Sequence, residues 1–179
     1  MLVLIGQDNG GVLEIKRIAT SQGMWNTRVF YHLAVTQDIL LEYTCPADAG
    51  IIPYLAQDKG AYYCTPNKMF EFMVAGLPIL ASDMPELKRF ISGQGIGLNR
   101  KMIDHLDIAA ALNDFFDMDW HGFGNRSQMI AGRFIWATLA AVVRSVYDSL
   151  DAPAINGQLA LLPRLAKSGN ACRKARQPR

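Results

Sequence analysis

Thr65-Pro66-Asn67-Lys68-Met69-Phe70-Glu71-Phe72-Met73-Val74-Ala75-Gly76-Leu77-Pro78-Ile79-Leu80-Ala81-Ser82-Asp83 decides how this chain is read. The pattern predicts a short helix, a Gly-Leu-Pro break and a buried strand that ends in a polar turn. Thr65 suits the N-cap, Pro66 the first helical position, and Asn67 and Lys68 follow in the first turn. Such a helix start offers free backbone N–H groups and the positive end of its dipole, both suited to phosphate oxygens. Lys68 adds a point charge for a diphosphate. Glu71 falls on the same helix side as Asn67 and Lys68, where its carboxylate can accept hydrogen bonds from a pair of sugar hydroxyls. The same residues also read as an ordinary capped helix with a Lys68–Glu71 surface pair. Tyr63, next to Tyr62, either lines a pocket before the cap or packs as a loop aromatic.

Outward from this stretch, strands and helices alternate. Leu2–Gly6 is an apolar strand followed by a turn-prone Gln7-Asp8-Asn9-Gly10-Gly11. Val12, Ile15, Ile18 and Ala19 recur at helical spacing, and residues 28–33 form a second strand. Thr36 is placed to cap a helix with Ile39, Leu40 and Tyr43 inward. Residues 49–54 form a third strand and residues 77–82 a fourth. Asp83-x-x-Glu86 has capping-box spacing with Pro85 inside the first turn. Gly93, Gly95 and Gly97 bracket a small strand near Ile96 and Leu98; their spacing is not the dinucleotide fingerprint. Asp107 opens a helix with Ile108, Ala111, Leu112 and Phe115 on one face. A last helix, from about Thr138, is expected to bury Leu139, Val143, Val146 and Leu150. Continuously apolar strands alternating with helices predict an α/β fold, a Rossmann-like parallel sheet with helices on both faces. Such sheets bind ligands beyond the carboxyl ends of their strands, the rim where the Thr65–Glu71 helix start falls.

The totals narrow the function classes. The chain has 179 residues, half of them hydrophobic, enough for one domain over residues 1–150. Arg164, Lys167, Arg173, Lys174, Arg176 and Arg179 concentrate near the C-terminus, in a tail over residues 151–179; setting them aside leaves 12 basic against 16 acidic residues. A mildly acidic body argues against nucleic-acid binding. The basic tail reads as a disordered, solvated end or as a contact for anionic lipid, which would be a peripheral membrane contact. Cys45, Cys64 and Cys172 show neither disulfide-framework nor zinc spacing, and His32, His105 and His121 form no ligand set. With no signal-peptide pattern, a reducing, cytoplasmic location is expected, with possible attachment to a membrane's cytoplasmic face. Residues 129–147 read as too short and too charged to span a membrane, carrying Arg133 and Arg144.

The stretch from Pro66 to Asp83 resembles the signature of the donor-binding half of GT-B glycosyltransferases of the family 4-like group (glycosyl transferases group 1), Pro-Asn-Lys-Leu-Phe-Glu-Tyr-Met-Ala-Ala-Gly-Leu-Pro-Val-Val-Ala-Ser-Asp. Leu2–Gly6 resembles the family's Leu-Val-Ile-Val-Gly strand, and Arg28-Val29-Phe30 its Arg-Val-x-Phe strand. Residues 47–54 match Ala-Asp-Val-Gly-Ile-Val-Pro-Tyr, and Trp136 and Tyr147 are similar to its closing helix. The resemblance implies a glycosyltransferase donor domain that binds a nucleoside diphosphate sugar and transfers the glycosyl group to an acceptor held by another domain or subunit. It implies that Glu71 binds the ribose; the donor-binding candidates are Thr65, Pro66, Asn67, Lys68 and Glu71, with Tyr63 a candidate from its place before the cap alone. The sugar nucleotide is substrate, and neither cofactor nor metal is required. The catalytic residue is not identified.

Two departures bear on this. The family's Glu-x7-Glu has its first carboxylate replaced by Tyr63. The family's first strand and helix would precede Met1, which predicts an apolar gap, two unpaired strand edges and an isolated chain without transfer activity. A non-catalytic subunit of a split glycosyltransferase and a sugar-nucleotide epimerase of the same fold are the alternative readings.

Overall fold

The computed structural model describes residues 1–149. The expected tail and Leu150 lie outside the described residues. The chain divides into two units, Met1–Leu40 and a second from Leu41 onward.

In the first unit, β1 (Leu2–Gly6) and β2 (Val29–Leu33) pair in parallel, with Leu2 opposite Val29 and Gly6 opposite Leu33. Helix α1 (Val12–Ser21) makes the crossover between them. The Asp8 carboxylate accepts from the Gly10 and Val12 amides at 2.8 and 3.2 Å, so a side chain four residues upstream does the work that α1's own N-cap, Gly11, cannot. The Tyr31 hydroxyl donates to the Gly6 carbonyl at 2.9 Å, tying the strand ends. Only Ala19 of α1 is buried, and Leu13 and Ile18 stay exposed.

The second unit holds a parallel sheet in the order β3 (Gly50–Ile52), β4 (Ile79–Ser82), β5 (Gly97–Arg100). All four β4 residues are buried, as a continuously apolar central strand requires. Ile79 and Ala81 face a core built with Met69 and Met73 of α4 (Asn67–Val74), Leu87 of α5 (Pro85–Phe90) and Ile130 of α7 (His121–Ala131). Leu80 faces the other way, with Leu98, and with Ala111 and Phe115 of α6 (His105–Phe116). Helices therefore cover both faces of this sheet, as alternation predicts. Phe70, Phe90 and Phe134 close the first core as a ring cluster, with centroids 5.3 to 5.8 Å apart and Phe90 edge-on to both partners. Backbone approach is close at two glycines: a Cβ on Gly50 would enter the Phe72 ring, and one on Gly97 would meet the Ile79 backbone.

The strands form two parallel sheets in which β1 and β3 each pair on one side only, the two unpaired strand edges that were expected. Several other expectations are corrected. The loop before residue 65 contains a short helix, α3 (Lys59–Tyr62), capped by the Asp58 carboxylate. Thr36 starts a turn, and the helix after it, α2 (Leu40–Thr44), leaves Tyr43 exposed while Thr44 and Cys45 are buried. Cys64 is free and half-buried.

Asp107 does not open α6. The Asp104 carboxylate accepts from the Leu106 and Asp107 amides, both at 2.9 Å. Asp83 does not cap α5, whose N-cap is Met84; it pairs with Lys88 at 2.7 Å. The last helix, α8 (Trp136–Ser149), buries none of its residues, against the expectation for Leu139, Val143 and Val146. Within Gly122–Ser149 the most apolar 18-residue window has a mean hydropathy of 1.4, enough to cross a membrane by length and composition only. The segment is two helices, however, and the chain turns between α7 and α8 at residues 132–135.

Candidate functional site

A helix that joins two parallel strands runs antiparallel to them, so its N-terminus emerges at their carboxyl ends. Helix α4 lies between β3 and β4 in the chain, and its first turn therefore opens at that rim. The helix is held there by its apolar faces. Met69 and Met73 are fully buried, Phe70 joins the aromatic cluster and Phe72 covers Gly50. At its far end Gly76 takes a positive φ of 67°, and the Leu77 amide donates to the Phe72 carbonyl at 2.9 Å. That is the glycine C-terminal motif the Gly-Leu-Pro break encodes.

The positions left over on α4 are the candidate site. Asn67 and Lys68 are exposed and Glu71 is half-buried. The cap differs from expectation: Pro66, buried and extended at ψ 144°, is the N-cap, and no side chain caps the helix. Thr65 is exposed and lies outside it. The Pro66 carbonyl accepts from the Met69 amide at 3.0 Å, whereas the Asn67 and Lys68 amides donate to nothing among the described residues. An N-cap with no side-chain acceptor leaves these first donors open to solvent or to an anion.

The Lys68–Glu71 surface pair does not form: no ion pair among the described residues involves either side chain. Lys68 and Glu71 share one helix side by their spacing, and the two open amides point out of the helix start along its axis. Tyr63 stands apart from them. It ends α3, is 59 % exposed, and meets Tyr62 edge-on at 4.9 Å.

Three polar residues that the sequence reading passed over organise this rim and its base. The Asn99 side-chain amide donates to the Ser82 carbonyl at 3.0 Å and its oxygen accepts from the Ser92 amide, which couples the ends of β4 and β5. The Ser82 hydroxyl reaches the Ile52 carbonyl at 3.3 Å, coupling β4 to β3. The Ser127 hydroxyl, fully buried, donates to the Leu77 carbonyl at 2.8 Å. A polar residue at an inward position of an otherwise apolar strand was the available signal for Asn99.

A shallow cavity of about 310 Å³ lies in the first unit, between β1 and the start of α1, lined by Ile5, Gly6, Asp8, Asn9 and Tyr31 among others. It includes none of the candidate residues. No group of three or more His, Cys, Asp or Glu side chains able to hold a metal occurs among the described residues.

The fold is α/β, with parallel sheets flanked by helices, the arrangement of a Rossmann-like half of a GT-B fold. A sucrose-phosphate synthase from Thermosynechococcus elongatus, itself a GT-B glycosyltransferase, is similar to it with a TM-score of 0.67 at 20 % identity. The likeness covers 83 % of this chain and 38 % of that one, so the chain spans well under half of its structural neighbour. No protein-family model and no curated protein sequence matches the chain.

Proposed function

We propose that this chain is the donor-binding part of a glycosyltransferase and holds a nucleoside diphosphate sugar at the start of α4. The observation that carries the reading is the joint presentation of the open Asn67 and Lys68 amides, the unpaired Lys68 ammonium and the unpaired Glu71 carboxylate. The amides and Lys68 bind the diphosphate, aided by the helix dipole. Glu71, one turn further from the charged end, accepts hydrogen bonds from the ribose hydroxyls. Thr65, Pro66 and Tyr63 flank the nucleotide. In transfer, the bond between the sugar's anomeric carbon and the diphosphate breaks as an acceptor hydroxyl attacks that carbon. Negative charge then builds on the departing diphosphate, where fixed N–H dipoles and Lys68 stabilise it. The acceptor sits on another domain or subunit, and this chain alone is expected to bind without turning over.

The GT-B-like fold supports this reading, as does the near-continuous match of residues 66–83 to the donor-domain signature.

Competition between UDP and uridine tests the phosphate half of the assignment. Wild type should bind UDP at least about tenfold more tightly than uridine, and Lys68→Ala should erase most of that preference. Equal affinity of wild type for the two ligands would remove the diphosphate from the site.

A further inference from the structure

Helix α8 carries Trp136, Leu139, Ala140, Val143, Val146 and Tyr147 at helical spacing along one face, and none is buried. Trp136 is 51 % and Tyr147 60 % exposed. A continuous apolar face of this kind is a docking surface rather than an ordinary solvent face. The sequence that follows indicates what it meets. Residues 152–179 contain no acidic residue and six basic ones, and Leu159, Leu161, Leu162 and Leu165 are interleaved with Arg164 and Lys167. The rest of the chain has an excess of acidic residues, and the positive charge is segregated at the far end of the sequence, from Arg164 onward, fifteen residues past α8.

We propose that α8 lies flat in the headgroup region of an anionic lipid surface, with the basic segment after it held by the acidic headgroups. An inserted apolar face and a polybasic run are the two signals that together give stable peripheral attachment. Trp136 and Tyr147, at opposite ends of the face, are residue types that favour the membrane–water interface. A flat rather than spanning placement is supported by the turn at residues 132–135 ahead of α8 and by Arg144 and Asp148 within it. The preceding α7 is committed elsewhere, burying Gly124, Ser127, Ile130 and Ala131. A protein partner would account for the apolar face but not for the segregated charge. The inference does not depend on the nucleotide site.

The full chain is sedimented with phosphatidylcholine vesicles, with and without an equal part of phosphatidylglycerol, at low and high salt. Wild type should co-sediment with the anionic vesicles only, and less at high salt. The Val143→Asp/Val146→Asp double variant should bind about tenfold more weakly or worse, as should a variant with the six C-terminal basic residues changed to Gln. Since α8 buries no residue, the double variant should keep the wild-type circular dichroism and thermal midpoint. Tyr147→Lys, a single exposed change, should weaken binding in the same direction by a smaller factor and serves if the double variant misfolds. Absence of wild type from the anionic pellet overturns the proposal. So does undiminished binding by the face variants, which would leave a basic tail acting alone. Self-association of wild type that the double variant abolishes, without vesicle binding, would make α8 a protein-docking face and equally overturn it.

Discussion

The buried Ser127 hydroxyl donates to the Leu77 carbonyl at 2.8 Å, which fastens α7 to the turn between α4 and β4. That turn fixes how far α4 extends before β4 begins, and so where the first turn of α4 stands at the sheet rim. Ser127→Ala leaves a carbonyl without this donor in a dry environment and should destabilise the chain by about 1–3 kcal/mol. Urea denaturation followed by circular dichroism measures this. A loss below about 0.5 kcal/mol would show that the contact is dispensable.

The helix caps make a paired prediction. Asp104→Ala removes the acceptor for two amides of α6 and should cost about 1 kcal/mol. Asp83→Ala removes only an exposed ion pair with Lys88 and should cost less than about 0.5 kcal/mol. The reverse order in denaturation midpoints would restore Asp83 as a structural cap.

Asp107 gives a pH signature. Its carboxyl is held below the ordinary value of 3.8, first by the hydrogen bond from Lys101 and then by the Ile103 amide. A carboxyl whose folded pKa is depressed contributes stability above its unfolded pKa and loses that contribution as pH falls through the folded one. Wild type should therefore be more stable than Asp107→Asn at neutral pH, and the difference should shrink as the solution is acidified below 3.8. A difference independent of pH would place the effect in packing rather than ionisation.

Much of the second unit was legible because its residues have one structural use. Ile79, Leu80 and Ala81 are apolar on both strand faces, which only a sheet covered on both sides accommodates. Gly76 stands where a positive φ is needed, and the break after α4 follows from it. The caps were misread because Asp83-x-x-Glu86 and Asp107 have the right spacing while their carboxylates found Lys88 and Lys101 instead. Local competition of this kind leaves no mark in a pattern. Helix α7 went unseen because its inward residues include Gly124, Ser127 and Ala131, which give little apolar period.

The error at α8 has a different origin. Periodicity identified the apolar face of α8 but carries no information about what covers it. For the candidate site, the sequence located the helix side shared by Asn67, Lys68 and Glu71. It did not reveal that Pro66, with no capping side chain, leaves the first amides open, since Thr65 has the side chain of a good cap.

The most direct test of the account is calorimetric titration of UDP into wild type and Glu71→Ala. If Glu71 holds the ribose beside a diphosphate bound at the start of α4, the variant should bind about tenfold or more weakly, the loss of a charge-assisted hydrogen bond or two. Equal affinity of the two proteins for UDP would contradict it.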